Sequence, residues 1–467
     1  MSYILAITPI IVILVLMVVL RWGGQKAGPT AWFVGIVIAA LAFGLNWQVF
    51  WVSQIRGILL SLYLLVMLWP ALLMYNLVNQ VGGIRAMAEG LQRMISDRGM
   101  LLITLAWCFS GILEGLAGFG IPVAIISPML VSLGVPALTA VAAAAIGHSW
   151  AVTFGGMGVV YSTLLSVSHI DPQFLNQPAA IMLGIACLAT GIATAGVLGQ
   201  GRSWPKVIVL GLVVSAVQYG LIQVGLSPLA ALGAGLTGVL VAILFGYRKG
   251  DQSANTVDKK ALRIALLAYG FLTLVLTILA LPGPIRSALS GFFWQMQFPE
   301  MLTSTGFFTP AGLGPSFSLF LHPGSAILLV ALGTYALLRL SNHCERGAFG
   351  SAAKATWNSA APATVGVLFT VGLATLMEAC GMTQLLAEGV CLVLQGFYPI
   401  ASPLIGVLGA FATGSNNNSN VLFASLQRTV AELLGLAPAW LVAAQTTGGA
   451  LGSMIAPPKI IVGCSTV

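Results

Sequence analysis

Charge is what this sequence has least of. Only 6% of its 467 residues are Asp, Glu, Lys or Arg, against about 25% in a soluble globular protein. With 58% hydrophobic residues and a mean hydropathy of +1.00, that scarcity excludes a soluble domain and points to a multi-pass membrane protein. Cysteine is sparse as well. Cys108, Cys187, Cys344, Cys380, Cys391 and Cys464 are scattered without a CxxC pair, so neither a disulfide framework nor a zinc site is indicated. No Walker motif supports ATP-driven pumping, and no paired-carboxylate, Ser/His or zinc-ligand arrangement supports an intramembrane enzyme. The net charge of +8 sits in short loops between apolar runs, where it sets topology instead of binding nucleic acid. The opening run from Tyr3 to Leu20 has no basic leader and no small-residue cleavage motif, and reads as a retained first helix.

What the chain does have is apolar runs of about 20 residues, the length of a membrane span. They fall at residues 3–20, 31–50, 57–77, 179–198, 207–224, 229–245, 261–281, 326–340 and 361–376. Four more, at 101–133, 136–167, 400–434 and 438–467, are interrupted by small or polar residues. The basic loops order the topology: Arg21 and Lys26, then Arg85, Arg93 and Arg98, then Arg202 and Lys206, then Arg248 to Arg263, then Arg339, Arg346 and Lys354. All of them face the cytoplasm only if residues 101–133 enter the membrane, turn at Glu114–Gly120 and return. Arg428 is the one misfit in that scheme.

The two halves also resemble each other. Ala88-Glu89-Gly90 recurs as Ala387-Glu388-Gly389, and Leu133-Gly134 with Pro136-Ala137 recurs as Leu434-Gly435 with Pro438-Ala439. Ser162-Thr163 is matched by Ser465-Thr466. Arginines flank the first copy, whereas residues 379–400 contain no Lys or Arg, as expected for copies of opposite orientation. The expected fold is an all-α polytopic membrane protein of about 11 full or broken transmembrane helices plus two re-entrant hairpins, built from inverted-topology repeats. Residues 1–55 would be N-terminal transmembrane helices and 56–167 repeat 1, with its hairpin at 101–133 and broken helix at 136–167. Residues 168–354 would be intervening scaffold helices, a frame or a contact surface for a partner subunit. Residues 355–467 would be repeat 2, with its hairpin at 400–434 and broken helix at 438–467.

The chemistry gathers at the two breaks. Unpaired polar groups in a lipid-spanning segment cost several kcal/mol unless protein or cavity water satisfies them. A stretch such as Thr413-Gly414-Ser415-Asn416-Asn417-Asn418-Ser419-Asn420 therefore lines a site, or else is a polar hinge or exposed loop. Returning half-helices starting near Ile121 and Val421 would aim N-terminal N–H groups at one point, suited to a carboxylate. Gly118, Phe119 and Gly120 at the first tip and Gly414 to Asn420 at the second are the candidate substrate-binding residues.

Glu114, the only Asp, Glu, Lys or Arg between Leu101 and Val167, is the candidate proton-coupling group; the competing reading is a neutral acid bonded within its own hairpin. His148 is a candidate substrate donor or proton relay, or a packed structural histidine. Gln445, Thr446 and Thr447 fall near the equivalent of His148, which adds Thr446 to the substrate-binding set. Lys459, in the break Ala456-Pro457-Pro458-Lys459, is either a substrate counter-charge or a snorkelling interfacial lysine. Glu378 is a weaker candidate, at the end of its span. The aromatics Phe292-Phe293-Trp294 read as interfacial.

At these residues the chain resembles a known family. Glu114-Gly115-x-Ala117-Gly118-Phe119-Gly120-x-Pro122-Val123-Ala124-Ile125 is similar to the signature of the L-lactate permease family, and Thr413 through Phe423 to its second signature. Gly448-Gly449 through Met454-Ile455-Ala456-Pro457 is similar to its C-terminal one. Order and spacing agree from about Trp69 onward. The resemblance implies a bacterial inner-membrane, multi-pass symporter for lactate or glycolate driven by protons, organised like the ion transporter superfamily. The chain departs from the pattern at Pro458-Lys459, where the family tends to have Gln after the C-terminal Pro, and it reads as shorter than typical members.

Together these readings describe a secondary active carrier of a small monocarboxylate, not an enzyme. No cofactor or metal is expected beyond H+ as coupling ion, with Na+ left open. The alternative is a Na+-coupled carrier of another small organic anion or a neutral solute. The expected partners are the substrate and the lipid bilayer, with a homodimer left open and no nucleic acid.

Overall fold

A computed structural model describes residues 2–118, 120–246, 257–340 and 347–467. The protein is helical almost throughout, and among the described residues ten helical stretches are long and apolar enough to cross a membrane. Helices α1 (Ser2–Val18), α2 (Gly24–Ala42) and α3 (Trp47–Gln80) open the chain, and the short α4 (Gly83–Met94) leads to the first hairpin. Its outgoing arm is α5 (Arg98–Ile103), a π-helical stretch at Thr104–Phe109 and α6 (Ser110–Leu116); its returning arm is α7 (Ile121–Ser132). A broken pair follows, α8 (Ala137–Gly147) and α9 (Gly155–Ser168), joined through a 3-10 stretch at Ser149–Phe154.

Next come α10 (Pro172–Val197), α11 (Trp204–Gln223), α12 (Ala230–Gly246), α13 (Lys259–Ala280) and the short α14 (Pro284–Leu289). Two small antiparallel pairs interrupt the helices: β1 (Phe293–Phe298) with β4 (Gly312–Ser318), and β2 (Met301–Leu302) with β3 (Phe308–Thr309). Helices α15 (Pro323–Leu340), α16 (Ala348–Ala379) and α17 (Met382–Leu394) precede the second hairpin, α18 (Tyr398–Thr413) with α19 (Asn416–Leu433). The second broken pair, α20 (Pro438–Gly452) and α21 (Pro457–Cys464), ends the fold.

Three of the eleven acidic side chains cap helix starts. Asp97 accepts from the Met100 N–H at 2.8 Å and Asp171 from that of Gln173 at 2.9 Å, while Asp258 takes Lys260 and Ala261. Each satisfies an N–H that would otherwise lack a partner at the start of α5, α10 or α13.

Two boundaries differ from the sequence expectation. The span expected at 31–50 is divided: α2 starts at Gly24, and Trp47 to Phe50 belong to α3. Gly44, at φ +66, ends α2, and Asn46 caps α3 by accepting from the Val49 N–H at 2.9 Å. An apolar window follows hydrophobicity through such a turn without sensing it. Helices α3 and α16, of 34 and 32 residues, also extend well past their apolar cores. Near the start of α3, buried Gln54 accepts from Trp32 Nε1 at 2.8 Å and donates to the Gly372 carbonyl at 3.3 Å. The aromatics Phe292, Phe293 and Trp294, at the start of β1, are exposed.

Both interrupted segments turn back on themselves. Arg98, at the start of α5, donates to the Leu133 carbonyl just past α7 at 2.8 Å. Tyr398, at the start of α18, donates to Gln427 Oε1 on α19 at 2.6 Å. The open end of the first hairpin lies against the end of α12, where the Ser96 and Asp97 N–H groups reach the Gly246 carbonyl. The arms of the second lead to a different end of the bundle, where Arg428 on α19 lies 3.8 Å from Glu378 at the end of α16, and His169, just past α9, lies 3.8 Å from the same carboxylate. Arg428, the misfit of the basic-loop scheme, is thus paired with an acid.

Lipid gives little hydrophobic drive for helices to meet, so close backbone approach must hold them. Trp107 in the first hairpin is received by Gly191 of α10 and Gly211 of α11, and Cys108 and Ile112 by Gly238 and Gly235 of α12. In the second, Gly448 of α20 rests on the Pro403 carbonyl and Gly406 of α18 on the Gln445 carbonyl. A Cβ at any of these glycines would meet atoms already in place.

Candidate functional site

The tips of the hairpins are turned by glycines in left-handed backbone, at φ +64 for Gly118, +84 for Gly120 and +72 for Gly414. L side chains rarely adopt that region. The first broken pair is interrupted in the same way: Gly156, Met157 and Gly158 have φ +53, +58 and +81, so regular helix resumes only at Val159. A left-handed methionine costs about 1–2 kcal/mol, and it lies beside the cavity.

Breaks and tips close on one space. A cavity of about 160 Å³ is lined by Glu114, Gly118, Gly120, Val152, Gly155, Gly156, Val160, Gly414, Ser415, Asn416, Asn417, Pro458, Lys459 and Val462. Drug-sized ligand pockets run to about 300–1,000 Å³, so this one suits a small solute. The starts of α7, α19 and α21 contribute to its wall, and none of their cap residues, Gly120, Ser415 and Ala456, makes a side-chain capping hydrogen bond. The positive dipole ends of these helices are thereby left for a ligand, and α19 adds first-turn N–H groups. Helix α21 has none to give, since Pro457 and Pro458 lack the donor and the Lys459 N–H is bonded to the Ala456 carbonyl. In α7, Pro122 lacks the donor and the Ile121 N–H is bonded to the Gly118 carbonyl.

Lys459 is buried and does not snorkel: Nζ lies 3.2 Å from His148 Nε2 and donates to Ser453 Oγ at 3.2 Å. His148 Nδ1 is 2.9 Å from the Ala144 carbonyl. That acceptor places the ring proton on Nδ1, so Nε2 accepts from the ammonium group. His148 is not on the cavity wall; it positions Lys459 from behind. Glu114 faces the same cavity, with Oε2 buried and without a hydrogen-bond partner. Its other oxygen, Oε1, lies against Gly118 and Gly155. A neutral acid bonded within its own hairpin is therefore not what the geometry provides. The cavity thus holds one cation, one carboxylate and otherwise uncharged walls.

The asparagine run divides by direction. Asn417 Oδ1 is 2.6 Å from Thr163 Oγ1 of α9. Asn416 Nδ2 reaches Thr153 Oγ1 at 3.2 Å and the Thr446 carbonyl at 3.1 Å, tying the second tip to the first break and to α20. Asn420 Nδ2 donates to Thr446 Oγ1 at 3.0 Å, and Ser419 Oγ donates to the Gly406 carbonyl at 3.0 Å. Asn418 lies next to Gly24 at the start of α2. Asn416, Asn417, Gly414 and Ser415 thus line the cavity, whereas Asn418, Ser419, Asn420 and Thr446 stand behind it. Phe119 lies outside the described residues. Glu378 lies away from the cavity, in the cluster with Arg428 and His169.

Sequence reasoning did not single out Thr153, Thr163 or Ser453 as site residues. Thr163 stands out in the sequence as half of a repeated Ser-Thr pair, and Thr153 falls within the broken helix expected at 136–167. Nothing in the sequence marks Ser453. Among the described residues, no group of three or more His, Cys, Asp or Glu is placed to hold a metal ion.

Comparison with known proteins agrees along the whole chain. The family model described as L-lactate permease matches residues 2–467. An L-lactate permease of Streptococcus iniae is 27% identical over 95% of this chain and 94% of its own length. An L-lactate permease of Escherichia coli (strain K12) is 26% identical over 100% of this chain and 90% of its own. A glycolate permease of the same strain is 26% identical over the same shares, 100% and 90%.

Proposed function

We propose, because this chain belongs to the L-lactate permease family and its two hairpin tips meet at one small cavity, that it carries a lactate- or glycolate-class monocarboxylate by proton symport with alternating access. The family makes it a multi-pass transporter of the bacterial inner membrane and not an enzyme. The observation that carries the substrate reading is Lys459, a buried ammonium on the wall of the cavity. A buried cation is retained only with partners. His148 and Ser453 supply two and leave a place for a carboxylate, which the uncapped starts of α7 and α19 also favour.

Charge balance supplies the coupling. With Glu114 ionised, Lys459 is already matched across the cavity, and an incoming anion adds an uncompensated negative charge. With a proton on Glu114, the anion and Lys459 form a neutral pair and the loaded site carries no net charge. Moving a neutral site between membrane faces avoids the cost of burying charge, so proton and anion travel together. Alternating access follows in this reading from two inverted repeats, residues 56–167 and 355–467, rocking about the shared cavity against the intervening helices.

The test is uptake of labelled L-lactate and glycolate into proteoliposomes under imposed gradients. An inward H+ gradient should drive accumulation and a Na+ gradient alone should not. Equal insensitivity to both gradients, or absence of monocarboxylate counterflow, would overturn the proposal.

A further inference from the structure

A second, larger cavity adjoins the first. It measures about 730 Å³ and is bounded by the α1–α2 loop, the end of α18 with Gly414, and α21. The two cavities share Gly414 and Pro458. Successive residues of α21 face them, Ile461 the larger and Val462 the smaller. Gly414 and Pro458 stand in contact and close the neck between the two cavities, since a Cβ on Gly414 would meet Pro458 Cγ at 3.0 Å. Among the described residues, Arg21 is the only charged side chain on the larger cavity's wall. It is exposed, and among the described residues it makes no side-chain hydrogen bond or ion pair. By contrast, the cavity of about 600 Å³ beside His169 and Arg428 shares no lining residue with the central one.

We infer that the cavity beside the α1–α2 loop is the passage between the central site and the face that bears Arg21, and that Arg21 is the station at which an anionic substrate pauses on that passage. The idea rests on the central cavity being the substrate site, and adds its route and a second anion contact. Lone arginines are drawn to carboxylates by charge and by paired N–H donors. With no acid on this wall, nothing in the passage competes for the guanidinium. The substrate would leave Lys459, pass between Gly414 and Pro458 when the two move apart, and exchange its partner for Arg21 before reaching water.

The experiment uses purified full-length protein with Cys464→Ser, carrying either Ile461→Cys or Val462→Cys, and thiosulfonate reagents of opposite charge. With Arg21 present, the anionic reagent should be favoured over the cationic one at Ile461→Cys. Arg21→Gln should lower that ratio roughly threefold at low ionic strength, Arg21→Glu should lower it further, and salt should erase the difference. Val462→Cys should follow the same order with slower rates, because its reagent must pass the neck. A bulky maleimide adduct on Ile461→Cys should reduce lactate counterflow at least tenfold. Unchanged reagent ratios in Arg21→Gln, or full counterflow with the adduct, would overturn the inference. The ratios are read without substrate, so a protein that shows no lactate counterflow before modification refutes the monocarboxylate reading while the ratios still decide the role of Arg21.

Discussion

The two hairpins solve the same problem, a polar turn inside an apolar bundle, with opposite chemistry. The first, α5 to α7, carries one carboxylate, Glu114, close to its tip and among apolar neighbours and glycine contacts. In its arms Thr104 and Ser127 bond back into their own helix, and Ser110 Oγ has no partner. The second, α18 and α19, has no ionisable group at its tip and is joined by amides. Tyr398 donates to Gln427, Gln427 to Gln445 at 3.0 Å, Gln445 to Ser419 at 2.9 Å, and Ser419 to the Gly406 carbonyl. One tip can change charge and the other cannot. In the proposed proton symport the first tip would take up the proton and the second would hold the shape of the site.

Breaking the charge side of that contrast should have the largest effect. Glu114→Gln is expected to abolish accumulation driven by a pH gradient while leaving lactate counterflow within about twofold of wild type, since the amide keeps the shape of the protonated acid. Accumulation that still follows the H+ gradient would move the coupling elsewhere. On the other side, Gln427→Leu strands the Tyr398 hydroxyl and Gln445 Oε1 in a buried setting. The expected cost is about 2 kcal/mol, read as a lower unfolding midpoint in detergent; an unchanged midpoint would mean the amide chain holds nothing. The matched change in the first hairpin, Ser110→Ala, removes a hydroxyl with no partner. It should alter stability by less than about 0.5 kcal/mol, or raise it. The smallest effect is expected of Asn418→Ala. Lactate KM should stay within about twofold because this side chain faces Gly24 and not the cavity, and a rise beyond tenfold would place it on the substrate.

Much of this contrast is legible in the sequence. Apolar runs, basic loops and glycine-rich interruptions fix the spans and the two returns, because hydrophobic thickness and charge sidedness act on residues one at a time. The division of labour within Gly414 to Asn420 is not legible. Successive helical residues point about 100° apart, so five polar residues in a row face every direction and leave no periodic contrast to say which meets the cavity. The pairing of His148 with Lys459 joins residues 311 positions apart, and only packing can bring them together. The π-helical stretch at Thr104–Phe109 and the short strands around residue 300 have no marked signal in composition either.

The account stands or falls on Lys459. L-lactate binding to the purified protein should be measured by calorimetry for wild type, Lys459→Arg and Lys459→Gln. The predicted result is roughly 10- to 100-fold weaker binding for Lys459→Gln, the loss of one charge-assisted hydrogen bond, with part of the affinity kept by Lys459→Arg. Equal affinity in wild type and Lys459→Gln would contradict it.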